Sequence, residues 1–161
     1  MAAGAPATAE TYGRIRALLS ELTDPEIPVL TLEDLGIIRW VRSDNDGVTV
    51  GLAPTYTGCP ALEVIESNVM ACLRAGGCEK VRVERVLSPP WTTDWISEAG
   101  RRKLRDHGIA PPCPLRERDN VPCPRCASSD TAKISEFGST PCKAAWKCSA
   151  CLEPFEYFKC L

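Results

Sequence analysis

Histidine is almost missing from this 161-residue chain, with His107 the only one. That scarcity removes histidine-rich metal sites and leaves little room for histidine-dependent acid–base chemistry. No apolar run approaches the roughly 18 residues that a membrane-spanning helix needs. The first ten residues, MAAGAPATAE, lack the basic-then-apolar order of a secretory signal. No G-x-G-x-x-G or P-loop pattern occurs, so nucleotide-dependent chemistry is not expected. A one-sided charge is absent as well: 19 Lys and Arg stand against 21 Asp and Glu. A strongly basic nucleic-acid binder is thereby excluded. These absences predict a soluble cytoplasmic protein with no nucleic-acid partner and no membrane attachment.

Cysteine is in excess instead, with ten in the chain, seven of them from Cys113 to Cys160. Where thiols are kept reduced, clustered cysteines point to metal before disulfides. With 44% hydrophobic and 25% charged residues, the chain can bury a core. Its length suits one ordinary domain plus a small module. The expected boundary lies at Ala110-Pro111-Pro112-Cys113-Pro114, where adjacent prolines cannot continue a helix. The polar run Arg116 to Asn120 that follows has no apolar period. This divides the chain into 1–112 and 113–161.

The first part reads as α+β, a small three-stranded sheet packed by helices. Ile15, Leu18, Leu19 and Leu22 predict a helix that Pro25 stops. Ile37 to Val41 predicts a strand, Asp44-Asn45-Asp46-Gly47 a hairpin turn, and Val48, Val50 and Leu52 the returning strand. A helix is expected from about 60 to 75, with Pro60 at its start and Leu62, Ile65, Val69 and Leu73 as its buried stripe. Gly76-Gly77 ends it. Val81, Val83 and Arg85 share one face of a third strand. A last helix is predicted from Trp95 to His107, capped by Asp94 and closed by Gly108.

The second part carries Cys123-Pro124-Arg125-Cys126 and Cys148-Ser149-Ala150-Cys151. Two Cys-x2-Cys knuckles joined by a hairpin are the arrangement that tetrahedral thiolate ligation requires. Thr131 to Phe137, Lys143 to Lys147 and Phe155 to Phe158 are its expected strands, making a four-cysteine, zinc-ribbon-like β module. So small a module buries little core, and metal affinity would supply much of its folding energy. The alternatives are plain reduced thiols, or disulfides formed during handling. Zinc suits a closed set of four, although the same sulfurs can hold iron or an iron–sulfur cluster. Cys142 and Cys160 could add or replace a ligand, or simply pack. Cys113 reads as incidental.

Cys59 sits where a loop enters a helix. Free N–H groups and the helix dipole there favour a thiolate and predict a lowered thiol pKa. The alternative is a small residue filling a tight turn. Asp24 and Glu26, held on the stiff segment Asp24-Pro25-Glu26-Ile27-Pro28, could lie beside it. Cys72 and Cys78 read as structural. Trp91 and Trp95 read as packing, or, if exposed, as a partner surface. Arg101, Arg102, Lys103 and Arg105 read as a solvated helix face. A thiol-dependent enzyme would need a base for Cys59, and His107 falls in a different predicted element.

Asp24-Pro25-Glu26-Ile27-Pro28, then Asp34-Leu35-Gly36 and Thr57-Gly58-Cys59-Pro60, resemble the domain shared by SufT-type iron–sulfur assembly factors and cytosolic iron–sulfur targeting proteins. Pro89-Pro90-Trp91-Thr92-Thr93-Asp94-Trp95-Ile96, the segment Phe137 to Lys143, and Glu153-Pro154-Phe155 with Phe158-Lys159-Cys160 resemble one branch of it. That branch is the PaaD family of phenylacetate-CoA oxygenase (phenylacetyl-CoA epoxidase) systems. The resemblance runs from about residue 14 to the C-terminus and leaves the first residues and the linker uninterpreted. It implies a non-catalytic accessory role in phenylacetate catabolism, maturing a metal centre in the partner reductase or oxygenase. The alternative is a structural adaptor subunit with no cofactor-transfer role. Carried over by position, Asp24, Glu26 and Cys59 match the acidic and thiol motif, for transient iron or an iron–sulfur cluster. Cys123, Cys126, Cys148 and Cys151 match the metal-binding tail. A homodimer is also implied.

Overall fold

Ile15 and Leu19 lie four residues apart on helix α1 (Ala9–Ser20) and are fully buried, as the 3.6-residue period requires. A computed structural model describes residues 9–113 and 120–160. It divides into two compact units, Met1–Trp91 and Thr92–Leu161. The polar run Arg116–Asp119 lies outside the described residues.

In the first unit, Gly47 takes a left-handed φ of 123°, and the Asp44 carboxylate accepts the Asp46 N–H at 2.8 Å. This turn folds β1 (Ile38–Asp44) antiparallel onto β2 (Gly47–Leu52). The strand β3 (Val81–Arg85) then runs parallel to β2, giving the order β1-β2-β3. A parallel neighbour needs a long crossover, which α2 (Leu62–Ala75) supplies. The sheet is therefore mixed. The α2 stripe Leu62, Ile65, Val69 and Leu73 is buried, as are Val48, Val50, Leu52 and Val81 from the strands. Each such side chain contributes about 2 kcal/mol relative to exposure.

Two close approaches fix the edges of this layer. A Cβ on Gly76 would collide with Leu18, and the Cys72 thiol donates to the Leu18 carbonyl at 3.4 Å, joining α1 to α2. On the other face the Trp40 ring lies across Gly51, leaving no room for a side chain there. Trp91 is buried, and its indole N–H donates to the Leu35 carbonyl at 2.8 Å. It packs rather than presenting a partner surface.

In the second unit, the helix expected from Trp95 to His107 is broken. A short 3-10 turn (Thr93–Trp95) precedes α3 (Glu98–Asp106). The Thr92 hydroxyl accepts the Asp94 N–H, Ile96 is extended, and the Ser97 hydroxyl accepts the Gly100 N–H at 2.9 Å. The cap on α3 is thus Ser97, not Asp94, because two successive N-caps interrupt the turn. Arg101 is not merely solvated: its guanidinium donates to the carbonyls of Pro112 at 2.7 Å and Thr93 at 2.8 Å.

The strand β4 (Ile109–Ala110), which no sequence signal marks, pairs parallel with β7 (Pro154–Phe158). With β5 (Thr131–Ser135) and β6 (Lys143–Cys148) it forms a four-stranded sheet of order β4-β7-β6-β5. The compact unit therefore starts at Thr92, before the boundary expected at 112, because β4 is a strand of the ribbon sheet and α3 packs against it. Its core gathers Ala110, Val121, Ala144, Trp146, Phe155 and Tyr157 around Cys123 and Cys148. The buried Lys143 ammonium reaches the Glu156 carboxylate at 2.7 Å. No helix among the described residues is long and apolar enough to cross a membrane.

Candidate metal centre and thiol loop

The hairpin pairing Thr131↔Cys148 carries the end of β6 back beside the turn that precedes β5. One knuckle, Cys123 to Cys126, lies in that turn, and the other, Cys148 to Cys151, leads into β7. Each knuckle is followed by a left-handed residue, Ala127 at φ 62° and Leu152 at φ 64°. This conformation costs a non-glycine residue roughly 1 kcal/mol or more. The next amide then faces the sulfur: the Ser128 N–H serves Cys126 and the Glu153 N–H serves Cys151. The two knuckles repeat one geometry.

The Sγ atoms of Cys123 and Cys151 are 3.7 Å apart, those of Cys126 and Cys148 are 3.6 Å apart, and all four lie within 4.8 Å of one another. A disulfide would need about 2.05 Å, and none of the ten cysteines is in a disulfide. Four sulfurs at bonds of about 2.3 Å around one ion form a tetrahedron with edges of about 3.8 Å. The donor set fits a tetrahedral thiophilic metal ion.

The electrostatics agree with that fit. The Cys151 and Ala150 amides, with the neighbouring thiols, pull the Cys148 thiol down to about 7 against the cost of burial. The Glu153 amide works in the same sense on Cys151, but burial and the crowded sulfurs push its thiol up to about 12. Cys126 is also raised, the Ser128 amide notwithstanding. Four thiols this close cannot all ionise unless a cation joins them. Cys142 and Cys160 stand outside the cage. The Cys142 sulfur is 3.1 Å from the Thr140 hydroxyl, and the Cys160 thiol donates to the Cys113 carbonyl at 2.9 Å.

The second candidate is in the first unit. Asp24 is 7% exposed and its Oδ1 accepts the N–H groups of Glu26 and Ile27, both at 2.8 Å. The Asp24 N–H donates to the Leu30 carbonyl at 2.9 Å, closing the Pro25–Pro28 segment into a loop. Thr31 and Asp34 exchange side-chain-to-backbone bonds at 3.1 and 3.0 Å, holding the next turn, where Gly36 has φ 67°. Cys59 precedes α2 and follows Gly58, whose φ is 100° and whose Cα faces open space. The Ala61 amide serves the Cys59 sulfur as it would an N-cap oxygen.

The expected low thiol pKa of Cys59 is overturned. Burial pushes it up, the Ala61 amide pulls it back, the Glu26 and Asp24 carboxylates push it further, and the Thr55 hydroxyl lowers it. The two carboxylates are therefore in electrostatic reach of Cys59, as the sequence suggested. Burial first, with the two carboxylates adding in the same sense, outweighs the amide at the start of the helix. Thr55 was missed in the sequence, since a hydroxyl four residues away in a loop carries no spacing signal. Among the described residues, only the knuckle cysteines form a set of three or more His, Cys, Asp or Glu side chains able to hold a metal ion.

Comparison with known proteins places both units. A family model described as an iron–sulfur cluster assembly protein matches residues 13–85, and one described as the PaaD zinc β-ribbon domain matches residues 110–159. The chain is 48% identical over 91% of its length, and 92% of the relative's, to an Escherichia coli (strain K12) protein named as a subunit of a 1,2-phenylacetyl-CoA epoxidase. It is 35% identical, over 59% of this chain and 91% of the relative, to an Fe-S protein maturation auxiliary factor of Porphyromonas gingivalis. The solved structure of a domain of unknown function, DUF59, from Bacillus anthracis matches with a TM-score of 0.54 at 26% identity, over 59% of this chain and 92% of that one. With both halves matched and one relative aligned almost from end to end, this chain belongs to the PaaD family, an iron–sulfur-assembly domain followed by a PaaD-type ribbon.

Proposed function

We propose that this protein is an accessory maturation subunit of a phenylacetyl-CoA epoxidase system, assisting iron–sulfur or other metal-centre assembly in the partner reductase or oxygenase. The observation that carries this reading is that the chain keeps two thiol sites of opposite character. One is a closed cage of four sulfurs. The other is a single half-buried cysteine with two carboxylates beside it and open space at the preceding glycine.

The cage is a structural zinc site held by Cys123, Cys126, Cys148 and Cys151. Zinc supplies no redox chemistry, only the positive charge that holds four thiolates together. The Cys59 site handles iron as cargo. Asp24 holds the loop; burial, reinforced by the negative field of Asp24 and Glu26, keeps the bare thiol protonated, and that field attracts an incoming cation. A cation then reverses the local balance in favour of the thiolate. Such a site stays inert when empty and gains sulfur ligation only when iron arrives. The names borne by the Escherichia coli and Porphyromonas gingivalis relatives support the system and the role respectively.

The test is Cys59→Ser, produced together with the reductase and oxygenase partners. The variant should keep its fold and its zinc, while the partner loses iron or acid-labile sulfide. Full cofactor loading of the partner would refute the role of Cys59. Loss of epoxidase activity on removing the protein from an already matured complex would favour the adaptor reading instead.

A further inference from the structure

The parallel register of β4 and β7 pairs Ile109 with Glu156 and Ala110 with Tyr157. Carried three residues onward, that register sets Cys113 beside Cys160. Pro111 and Pro112 end the strand, since proline has no N–H for the ladder. Past them the two segments stay in contact, since the Cys160 thiol donates to the Cys113 carbonyl at 2.9 Å. At the last ladder pair, three residues before these cysteines, paired strands lie roughly 4.8 Å apart, and a disulfide spans about 4.4 to 6.8 Å between Cα atoms. Neither cysteine is in a disulfide and both are half-buried, so a small reagent can reach them. The Cys113 sulfur is 3.2 Å from the Tyr157 hydroxyl, and neither thiol belongs to the four-sulfur cage.

We propose that Cys113 and Cys160 are a redox-active pair that closes to a disulfide by exchange with a small-molecule disulfide, fastening the segment after β4 to the segment after β7. One thiolate attacks the reagent, forming a mixed disulfide and releasing one small thiol. The second cysteine attacks the protein sulfur of that mixed disulfide and releases the other small thiol. Two protein thiols lose two electrons and two protons, and the reagent's S–S bond is cleaved to two thiols. The bond closes the chain from Cys113 to Cys160 into a loop containing both knuckles. In the oxidised form the sheet therefore relies less on the ion for its order.

The experiment treats the metal-loaded full-length protein with oxidised glutathione, followed by peptide mapping. The expected product is a Cys113–Cys160 linked peptide, lighter by two hydrogens than the reduced pair. Cys113→Ser should instead retain a glutathione adduct on Cys160, because nothing remains to displace it. Separate glutathione adducts on Cys113 and Cys160 in the unsubstituted protein would overturn the proposal. So would linkage of either residue to another cysteine, or both thiols remaining free after prolonged treatment.

Discussion

Removing the metal should unfold the ribbon while leaving the first unit intact. The ribbon's core is eight buried residues, Ala110, Val121, Cys123, Ala144, Trp146, Cys148, Phe155 and Tyr157. Only four of these are large or β-branched apolar or aromatic side chains. A core of that size rarely nets more than about 3–5 kcal/mol, whereas a structural zinc ion contributes about 10–16 kcal/mol of apparent folding free energy. Four sulfurs held 3.6 to 3.7 Å from their nearest partners also lose the charge that justified their approach. The assay is amide hydrogen exchange with a chelator and a reductant present, the reductant keeping Cys113 and Cys160 open. Amides of β5, β6 and β7, such as the Cys148 N–H that donates to the Glu153 carbonyl at 3.0 Å, should lose protection. A loss of at least about 4 kcal/mol accelerates their exchange about a thousandfold. Amides of β2 and α2 should be unchanged. Cys148→Ser should reproduce the effect without chelator, whereas Cys142→Ser should keep one ion per chain. A demonstrably metal-free protein that retained protection in β6 and β7 would refute the reasoning.

Other perturbations test the packing and the charges. Burial acts against the Glu156 carboxylate, but Lys143 and the Ser139 N–H outweigh it and hold its pKa below the usual carboxylate range. A lowered folded value contributes stability above the unfolded pKa of about 4.3, lost as pH falls through the folded value. Lys143→Met should cost about 3 kcal/mol at neutral pH and flatten the acid dependence in chemical denaturation. Gly51→Ala places a Cβ against the Trp40 ring and should destabilise the first unit by about 1–3 kcal/mol, read as a lowered melting temperature. Glu26→Gln removes one of the charges that raise the Cys59 thiol. Its alkylation near neutral pH should then quicken about two- to threefold, with the pH profile moved down. An unchanged profile would mean that Glu26 does not act on the sulfur.

Local chemistry was legible from the chain alone. The Leu62, Ile65, Val69 and Leu73 stripe and the Asp44–Gly47 turn each depend on residues within a few turns of one another and are found as expected. The x2 spacing of each knuckle marked sulfurs that the β5–β6 hairpin brings together. The helix after Trp91 was misread because Thr92 and Ser97 are both competent caps, and only the folded chain shows that both are used. The parallel placement of β3 beside β2, and of β4 beside β7, came from distant pairing that no local pattern encodes. The sign of the Cys59 shift belongs to the same class. A helix start predicts a stabilised thiolate, but burial and the carboxylates of Glu26 and Asp24, more than thirty residues upstream, raise the pKa. Motif spacing thus determined which atoms can meet a metal. Tertiary structure decided the field around each sulfur, because desolvation and Coulomb interactions follow distance in space and not separation along the chain.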